Sequence, residues 1–295
     1  MQTGNITSPQ AVIREWAEMI KLEHTVFALP FALSGLILAI PGLPDWRTVF
    51  WTVLAFASAR GAAMTLNRLI DAKIDAINPR TKDRAIPAGK IKASTALIFA
   101  VVAFALMLFA ASNLPPICLM LSPIAVFWLS FYSFTKRFTW LCHIVLGIAL
   151  GGAALGGWVA SSGAIVGAAP WLLASAVATW VAGFDIIYAC QDESFDRDNK
   201  LSSMPARFGV AGALKISRAL HVLTVCLLLA LGLCLKLGFF YYVGFAAITG
   251  MLFYEHRLVK ADDLSKVNAA FFTVNGIVSI CAFCAFLIDK LIRLN

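Results

Sequence analysis

The stretch Asn67-Arg-Leu-Ile-Asp71-Ala-Lys-Ile-Asp75 spaces one amide oxygen and two carboxylates four residues apart. Residues at that spacing stack on one face of a helix, so Asn67, Asp71 and Asp75 point the same way. Pro79 then ends the helix, and Arg80, Lys82, Arg84, Lys90 and Lys92 follow in a basic loop. Oxygen ligands beside cationic side chains suit a metal-bound polyanion such as a diphosphate. A solvated helix end would explain one such row equally well, but a second row shifts the balance. In Gly183-Phe-Asp185-Ile-Ile-Tyr188-Ala-Cys-Gln191-Asp192-Glu-Ser-Phe-Asp196-Arg-Asp198, Asp185, Asp192 and Asp196 fall within roughly 40° of one another, and Asp198 points away. Carboxylates sharing a face repel unless a cation neutralises them. An all-oxygen set favours magnesium or another hard cation over zinc, and magnesium is commonly held by a few carboxylates plus substrate phosphates.

Both rows sit at the ends of apolar runs, where ionisable groups are costly and usually functional. Hydrophobic residues make up 60% of the chain and charged residues 14%, with a mean hydropathy of +0.83. An ordinary soluble domain is nearer half apolar and a quarter charged. The chain therefore reads as an all-α, polytopic membrane bundle. The runs are roughly 25–40, 49–66, 96–111, 116–134, 144–159, 171–189, 214–235, 239–254 and 269–288. With their flanks they approach the ~20 residues that cross a bilayer, which makes about nine helices. Eight is the count if the run from Phe239 is re-entrant, and ten if Gly151–Gly157 breaks a helix. No block outside the runs is large enough for a soluble domain, so residues 1–295 read as one domain. Residues 1–23 lack the short apolar core of a cleavable signal. They read as a cytoplasmic amphipathic lead-in, with Trp16, Ile20 and Leu22 at the lipid interface.

Charge in the connections supports this layout. Lys and Arg concentrate in alternate loops: 73–92, then Lys136 and Arg137, then 197–218, then 257–266. The connections between them are short and nearly uncharged, as the positive-inside rule expects. Both aspartate rows and the N-terminus then lie on the cytoplasmic side of what reads as a bacterial inner membrane. Lys290 and Arg293 fall on the wrong side. The net charge of +8 is this topology signal and calls for no nucleic acid. The seven cysteines lie mostly in apolar runs, so even Cys281 and Cys284 read as core packing. The four histidines form no metal-spaced pair. Gly151-Gly-Ala-Ala-Leu-Gly-Gly157 offers small residues through which another helix can approach, and it lacks the Lys-Ser/Thr ending of a phosphate loop.

These residues carry a resemblance. Asn67-x3-Asp71-x3-Asp75, followed by Arg80-Thr81-x2-Arg84-x2-Pro87-x-Gly89, resembles the first signature of the UbiA-type intramembrane aromatic prenyltransferases. Asp192-x3-Asp196, preceded by Asp185 and Tyr188, resembles the second. Tyr132-x3-Lys136-Arg137-x-Thr139 and Leu146-Gly147 resemble the stretch before the fifth helix of 4-hydroxybenzoate polyprenyltransferases. Ser194 and Phe195 interrupt an acidic run that is denser in those relatives, and the pattern is closer to the 4-hydroxybenzoate prenyltransferase-like branch.

The resemblance implies a central cavity open toward the cytoplasm. It also implies transfer of a polyprenyl group from its diphosphate to a hydroxybenzoate- or hydroxynaphthoate-like acid in quinone biosynthesis. Two Mg2+ would be held by Asn67, Asp71 and Asp75 and by Asp192 and Asp196. Arg80, Arg84 and Lys136 would face the diphosphate, and Tyr132, Asp185 and Tyr188 the substrates, with no obligatory protein partner. Tyr188 would lend a π-face to an allylic cation. Arg60, two turns before Asn67 on the same face, must look into the bundle. It would pair with a carboxylate such as Asp185, or hold the carboxylate of the acceptor, with Gly61 leaving room for a flat ring. A cation-coupled transporter using intramembrane aspartates is the competing class. Its site would be expected nearer the midplane. A phospholipid phosphotransferase would need an Asp-Gly-x2-Ala-Arg motif that is missing.

Overall fold

The computed structural model describes residues 9–20 and 25–294, with side chains for 10–20 and 29–294, and every regular element among them is helical. Leu22, His24 and residues 1–8 of the lead-in lie outside the described residues. In the first helix, α1 (Pro9–Met19), and the residue after it, the expected interface residues Trp16 and Ile20 pack against the protein. Trp16 covers Gly61 of α3 (Trp46–Ile70), 3.6 Å from where a Cβ would stand, and its indole N–H donates to Thr65 Oγ1 at 2.9 Å. Met19 and Ile20 are buried beside it. The glycine leaves a hollow that the indole fills while finding a partner for its N–H. The same contact takes the room expected for an acceptor ring at Gly61.

Each apolar run falls in a helix. Besides α3 these are α2 (Thr25–Leu38), α5 (Ala93–Ala111), α6 (Pro116–Thr135), α7 (Cys142–Ser162), α8 (Ala169–Ala189), α10 (Met204–Cys234) and α11 (Phe239–Leu258). A π-helical turn, Ala269–Val274, leads into α12 (Asn275–Leu294). Two short helices, α4 (Ala72–Ile77) and α9 (Glu193–Asp198), carry parts of the aspartate rows. Among the described residues seven helices are long and apolar enough to cross a membrane; α2 and α11 are not among them. α7 runs unbroken through Gly151–Gly157, and α11 is one continuous helix of 20 residues. α10 changes direction at Gly209, whose φ of 69° is a conformation glycine adopts without strain.

The helices pack as a ring, α2 to α7 to α8 to α10 to α11 to α12 and back to α2, with α3, α5 and α6 against its α2–α7 side. Small residues set the spacing. A Cβ on Gly157 would stand 1.9 Å from the Ala32 carbonyl oxygen of α2, and one on Gly151 2.4 Å from that of Ala174 in α8. Backbones therefore touch there, while Gly152 and Gly156 face open space. Lys290 closes the ring: its Nζ lies 2.6 Å from the Ile37 carbonyl oxygen and also bonds that of Ile40. A cation thus caps the carbonyl end of α2, and Arg293 lies 3.7 Å from Asp289. The two charges that break the loop pattern have partners inside the bundle. All seven cysteines are free thiols; Cys226, Cys234 and Cys284 are exposed on helix faces instead of packed in the core.

Candidate active site

The first row straddles a joint. α3 ends at Ile70, Asp71 (φ −86°, ψ 0°) is the hinge, and α4 follows. The helical bonds continue across it, from Asp71 N–H to Asn67 O at 2.9 Å and from Asp75 N–H to Asp71 O at 2.8 Å. Asn67 and Asp71 therefore stay on one side, with Nδ2 of the amide 2.9 Å from Asp71 Oδ2. Asn78, before Pro79, is extended (ψ 119°), as a residue preceding proline tends to be. The loop then turns back, and Arg84 Nη1 reaches both Asp75 oxygens at 2.7 and 2.8 Å.

The second row lies at the end of α8, where a single 3₁₀ turn, Cys190–Asp192, leads into α9. Arg80 crosses to it from the first row's loop. Its Nε donates to Asp192 Oδ1 at 2.9 Å and its Nη2 to Oδ2, a bidentate pair. Asn78 steadies the arginine by accepting its backbone N–H at 2.9 Å. From the end of α6, Lys136 Nζ lies 2.7 Å from Asp196 Oδ1, and the adjacent Arg137 lies 2.9 Å from Asp71 Oδ1. Two consecutive cations thus tie the two rows together. Asp185 pairs with His143 Nδ1 at 2.7 Å. Met204 N–H donates to the other ring nitrogen at 3.4 Å, so the proton belongs on Nδ1. Asp198 is exposed and outside the cluster, as its helical offset requires.

The basic residues expected on a diphosphate therefore face carboxylates in this structure. Burial pushes the Asp71 carboxyl above its ordinary range, against the pull of Arg137. Burial also works against the charged forms of Arg80 and Lys136, yet Asp192 and Asp196 more than offset it and hold both above their ordinary values.

The donor set fits Mg2+. Among the described residues no three carboxylate, imidazole or thiol groups converge to hold a metal alone. All the row donors are oxygens, however, and magnesium usually leaves part of its coordination to phosphate and water. Both Asp196 oxygens are buried without an aligned hydrogen bond, despite the nearby ammonium. A buried carboxylate already paired with an ammonium is an oxygen ligand that a metal cation could take over.

Arg60 Nη1 donates to the Ile20 carbonyl at 3.1 Å, and Asp185 belongs to His143, so the expected Arg60–Asp185 pair is replaced. A buried imidazole on the facing helix reaches the carboxylate with a proton ready to donate. Tyr132 is near enough to both Arg60 and Arg68 to interact with their charges. Tyr188 takes a hydrogen bond from Arg80 Nη1 at 3.1 Å, with the guanidinium carbon 5.3 Å from its ring centroid. Phe271, from the π-helical turn, packs 4.1 Å from the same ring. Arg68, Asn78 and His143 escape sequence reasoning as participants, and Arg137, though part of a quoted motif, has no role assigned by it. Arg137 and Arg68 were visible as charges beside motif residues, but nothing local told which carboxylate each would meet.

The surroundings of these groups define a membrane-type helical bundle with an oxygen-ligand and cation cluster at one layer of helix ends. The family model for UbiA prenyltransferases matches residues 28–277. The 4-hydroxybenzoate octaprenyltransferase of Aliivibrio salmonicida (strain LFI1238) is 31% identical over 243 residues, covering 82% of this chain and 85% of its own. That of Marinomonas sp. (strain MWYL1) is 28% identical over 278 residues, covering 92% and 96%. Among solved structures, the apo structure of a UbiA homolog from Aeropyrum pernix K1 superposes with a TM-score of 0.83 at 32% identity, covering 91% and 98%. A UbiA homolog from Archaeoglobus fulgidus, solved bound to DMAPP and Mg2+, shares the fold at 20% identity with a TM-score of 0.71, covering 94% and 99%. The chain belongs to the UbiA prenyltransferase family.

Proposed function

We propose that this protein, acting as one unit over residues 1–295 with about nine spans, moves a polyprenyl group from its diphosphate to a hydroxylated aromatic acid. The observation that carries this reading is the bridging of two aspartate rows by cations from separate elements: Arg80 to Asp192, Arg137 to Asp71, Lys136 to Asp196. Asn67, Asp71 and Asp75 would hold one Mg2+, and Asp192 and Asp196 another. Bound there, Mg2+ supplies Lewis-acid stabilisation of the departing diphosphate. Arg80, Arg84 and Lys136 then turn from carboxylates to phosphate oxygens, where guanidinium forks match the geometry well. The allylic C–O bond breaks with its electron pair going to the diphosphate, a ring carbon of the acceptor bonds to the allylic carbon, and the ring proton passes to the released diphosphate. The prenyl tail lies between helices in a cavity open toward the cytoplasm, and apolar walls keep water from the cation. Tyr188 offers its ring face, which already holds a guanidinium. Asp185, fixed by His143, and Tyr132 and Arg60 line the acceptor end. The names of the curated relatives favour 4-hydroxybenzoate as acceptor; the role we assign is quinone biosynthesis, and the place the bacterial inner membrane.

The test offers purified protein a labelled polyprenyl diphosphate with 4-hydroxybenzoate or a hydroxynaphthoate, with and without Mg2+. The expected result is Mg2+-dependent prenylated benzoate and one diphosphate per product. Aspartate-dependent cation flux through proteoliposomes, with no diphosphate released, would favour the transporter.

A further inference from the structure

A separate basic cavity lies between α10 and α11. It has a volume of about 600 Å³ and is lined by Lys215, Arg218, His256, Arg257 and Lys260 over the apolar side chains of Leu214 and Val259. None of these four lysines and arginines makes an ion pair among the described residues. Arg80, Arg84, Lys136 and Arg137 of the aspartate cluster, by contrast, each face an acid. The acids on Lys260's own loop are Asp262 and Asp263; Asp263 is fully exposed, accepts the Ser265 N–H at 3.0 Å and feels the charges of Lys266 and Lys260 without an ion pair among the described residues. Four exposed cations without an ion pair share one concavity, a concentration of positive charge that an anion would complement.

The same helices present exposed apolar side chains beside the cavity, Val222 and Leu223 on α10 and Phe253 and Tyr254 on α11. Arg257 stands 5.2 Å from the ring centroid of Phe253, at the border between the charged lining and that apolar face. A free phosphate would use only the charges, whereas a phospholipid would use both features. We propose that the cavity binds the phosphate headgroup of an anionic phospholipid, with its acyl chains along the Val222–Phe253 face. Basic pockets between helices suit such headgroups. This site is distinct from the aspartate rows and does not rest on the proposed reaction.

The test is lipid retention by the purified full chain, stripped in a non-ionic detergent and offered phosphatidylglycerol or phosphatidylcholine. Native mass spectrometry counts the bound lipid on monodisperse protein. Phosphatidylglycerol is expected to be retained over phosphatidylcholine. Lys215→Gln with Arg218→Gln should lower that retention roughly tenfold. Ala211→Phe, which fills the cavity without changing charge, should lower it as well, and it alone decides if the double variant does not fold. Lys92→Gln with Lys200→Gln removes the same charge elsewhere and should leave retention unchanged. Equal retention of both lipids, or equal losses in the Lys92/Lys200 variant, overturns the proposal. So does displacement of the lipid by millimolar inorganic phosphate, which would mark a free-phosphate site.

Discussion

Two clusters of buried polar groups in this bundle are built on opposite rules. In the aspartate layer each row carboxylate meets a full cation: Asp71 with Arg137, Asp75 with Arg84, Asp192 with Arg80, Asp196 with Lys136. Between α8, α10, α11 and α12 a second cluster has no lysine or arginine in it. Trp180 Nε1–H donates to Asn275 Oδ1 at 2.8 Å, and Asn275 Nδ2 donates to Glu255 Oε1 at 2.7 Å. His221 donates from Nε2 to the Trp180 carbonyl at 3.2 Å, so its Nδ1 accepts from His256 Nε2 at 3.0 Å. Here every donor bonds a side chain of the cluster or a nearby backbone carbonyl, Asn275 Nδ2 reaching the Ala270 carbonyl at 3.0 Å as well, and the network fixes how four helices face each other. Ion pairs at the edge of water can exchange partners, because another cation or anion replaces either member. The first cluster is suited to binding and the second to holding shape.

The sharpest way to break this contrast is to delete single row carboxylates. Asp71→Ala, Asp75→Ala, Asp192→Ala and Asp196→Ala are each expected to lower turnover by on the order of 100-fold or more, with the protein still monodisperse in detergent. Steady-state product formation measures this, and retained activity in any of the four would remove that residue from the site.

Next in size is Arg84→Ala, expected to raise the KM for the prenyl diphosphate about tenfold or more, with little change in the KM for the acceptor. A shift confined to the acceptor would contradict a role at the diphosphate.

In the other cluster the expected loss is of stability. Asn275→Leu strips partners from both Glu255 and Trp180, and should lower stability by about 1–3 kcal/mol, read as a drop in Tm in detergent. Turnover per folded molecule should change far less than in the aspartate variants. If Asn275→Leu instead abolished turnover at unchanged Tm, the division between binding and holding would fail.

The smallest effect belongs to Asp198→Ala, expected to leave turnover within about twofold, since surface substitutions away from special features are usually near neutral. Losses like those at Asp192 would show that the helical face was wrongly drawn.

Spacing made the two rows and their shared side legible, since four-residue intervals on a helix need no tertiary information. The apolar runs likewise foretold where helices form; across the 3₁₀ turn at Cys190–Asp192, Asp192 and Asp196 each meet a cation of the layer, whereas Asp185 turns to His143. Choice of partner was not legible. His143 meets Asp185 from 42 residues away, Arg137 meets Asp71 from 66, and Arg80 meets Asp192 from 112. Each choice depends on which helices end up adjacent, and hydropathy is blind to that. Gly61 shows the same limit from the other direction. The glycine correctly signalled a hollow, but only packing revealed that the Trp16 indole fills it.

The Lys290 contact has a consequence for how the molecule is assembled. Ile37, whose carbonyl it caps, lies 253 residues earlier in the chain. Closing a contact of such sequence separation comes late, after the local helix pairs have formed, because the chain entropy it removes is recovered only once the rest is in place. Until then α2, with 14 residues in its helix, has open carbonyls at its end and no α12 beside it. A chain carrying everything up to α11 would hold its helices with a gap in the wall where α12 packs on α2.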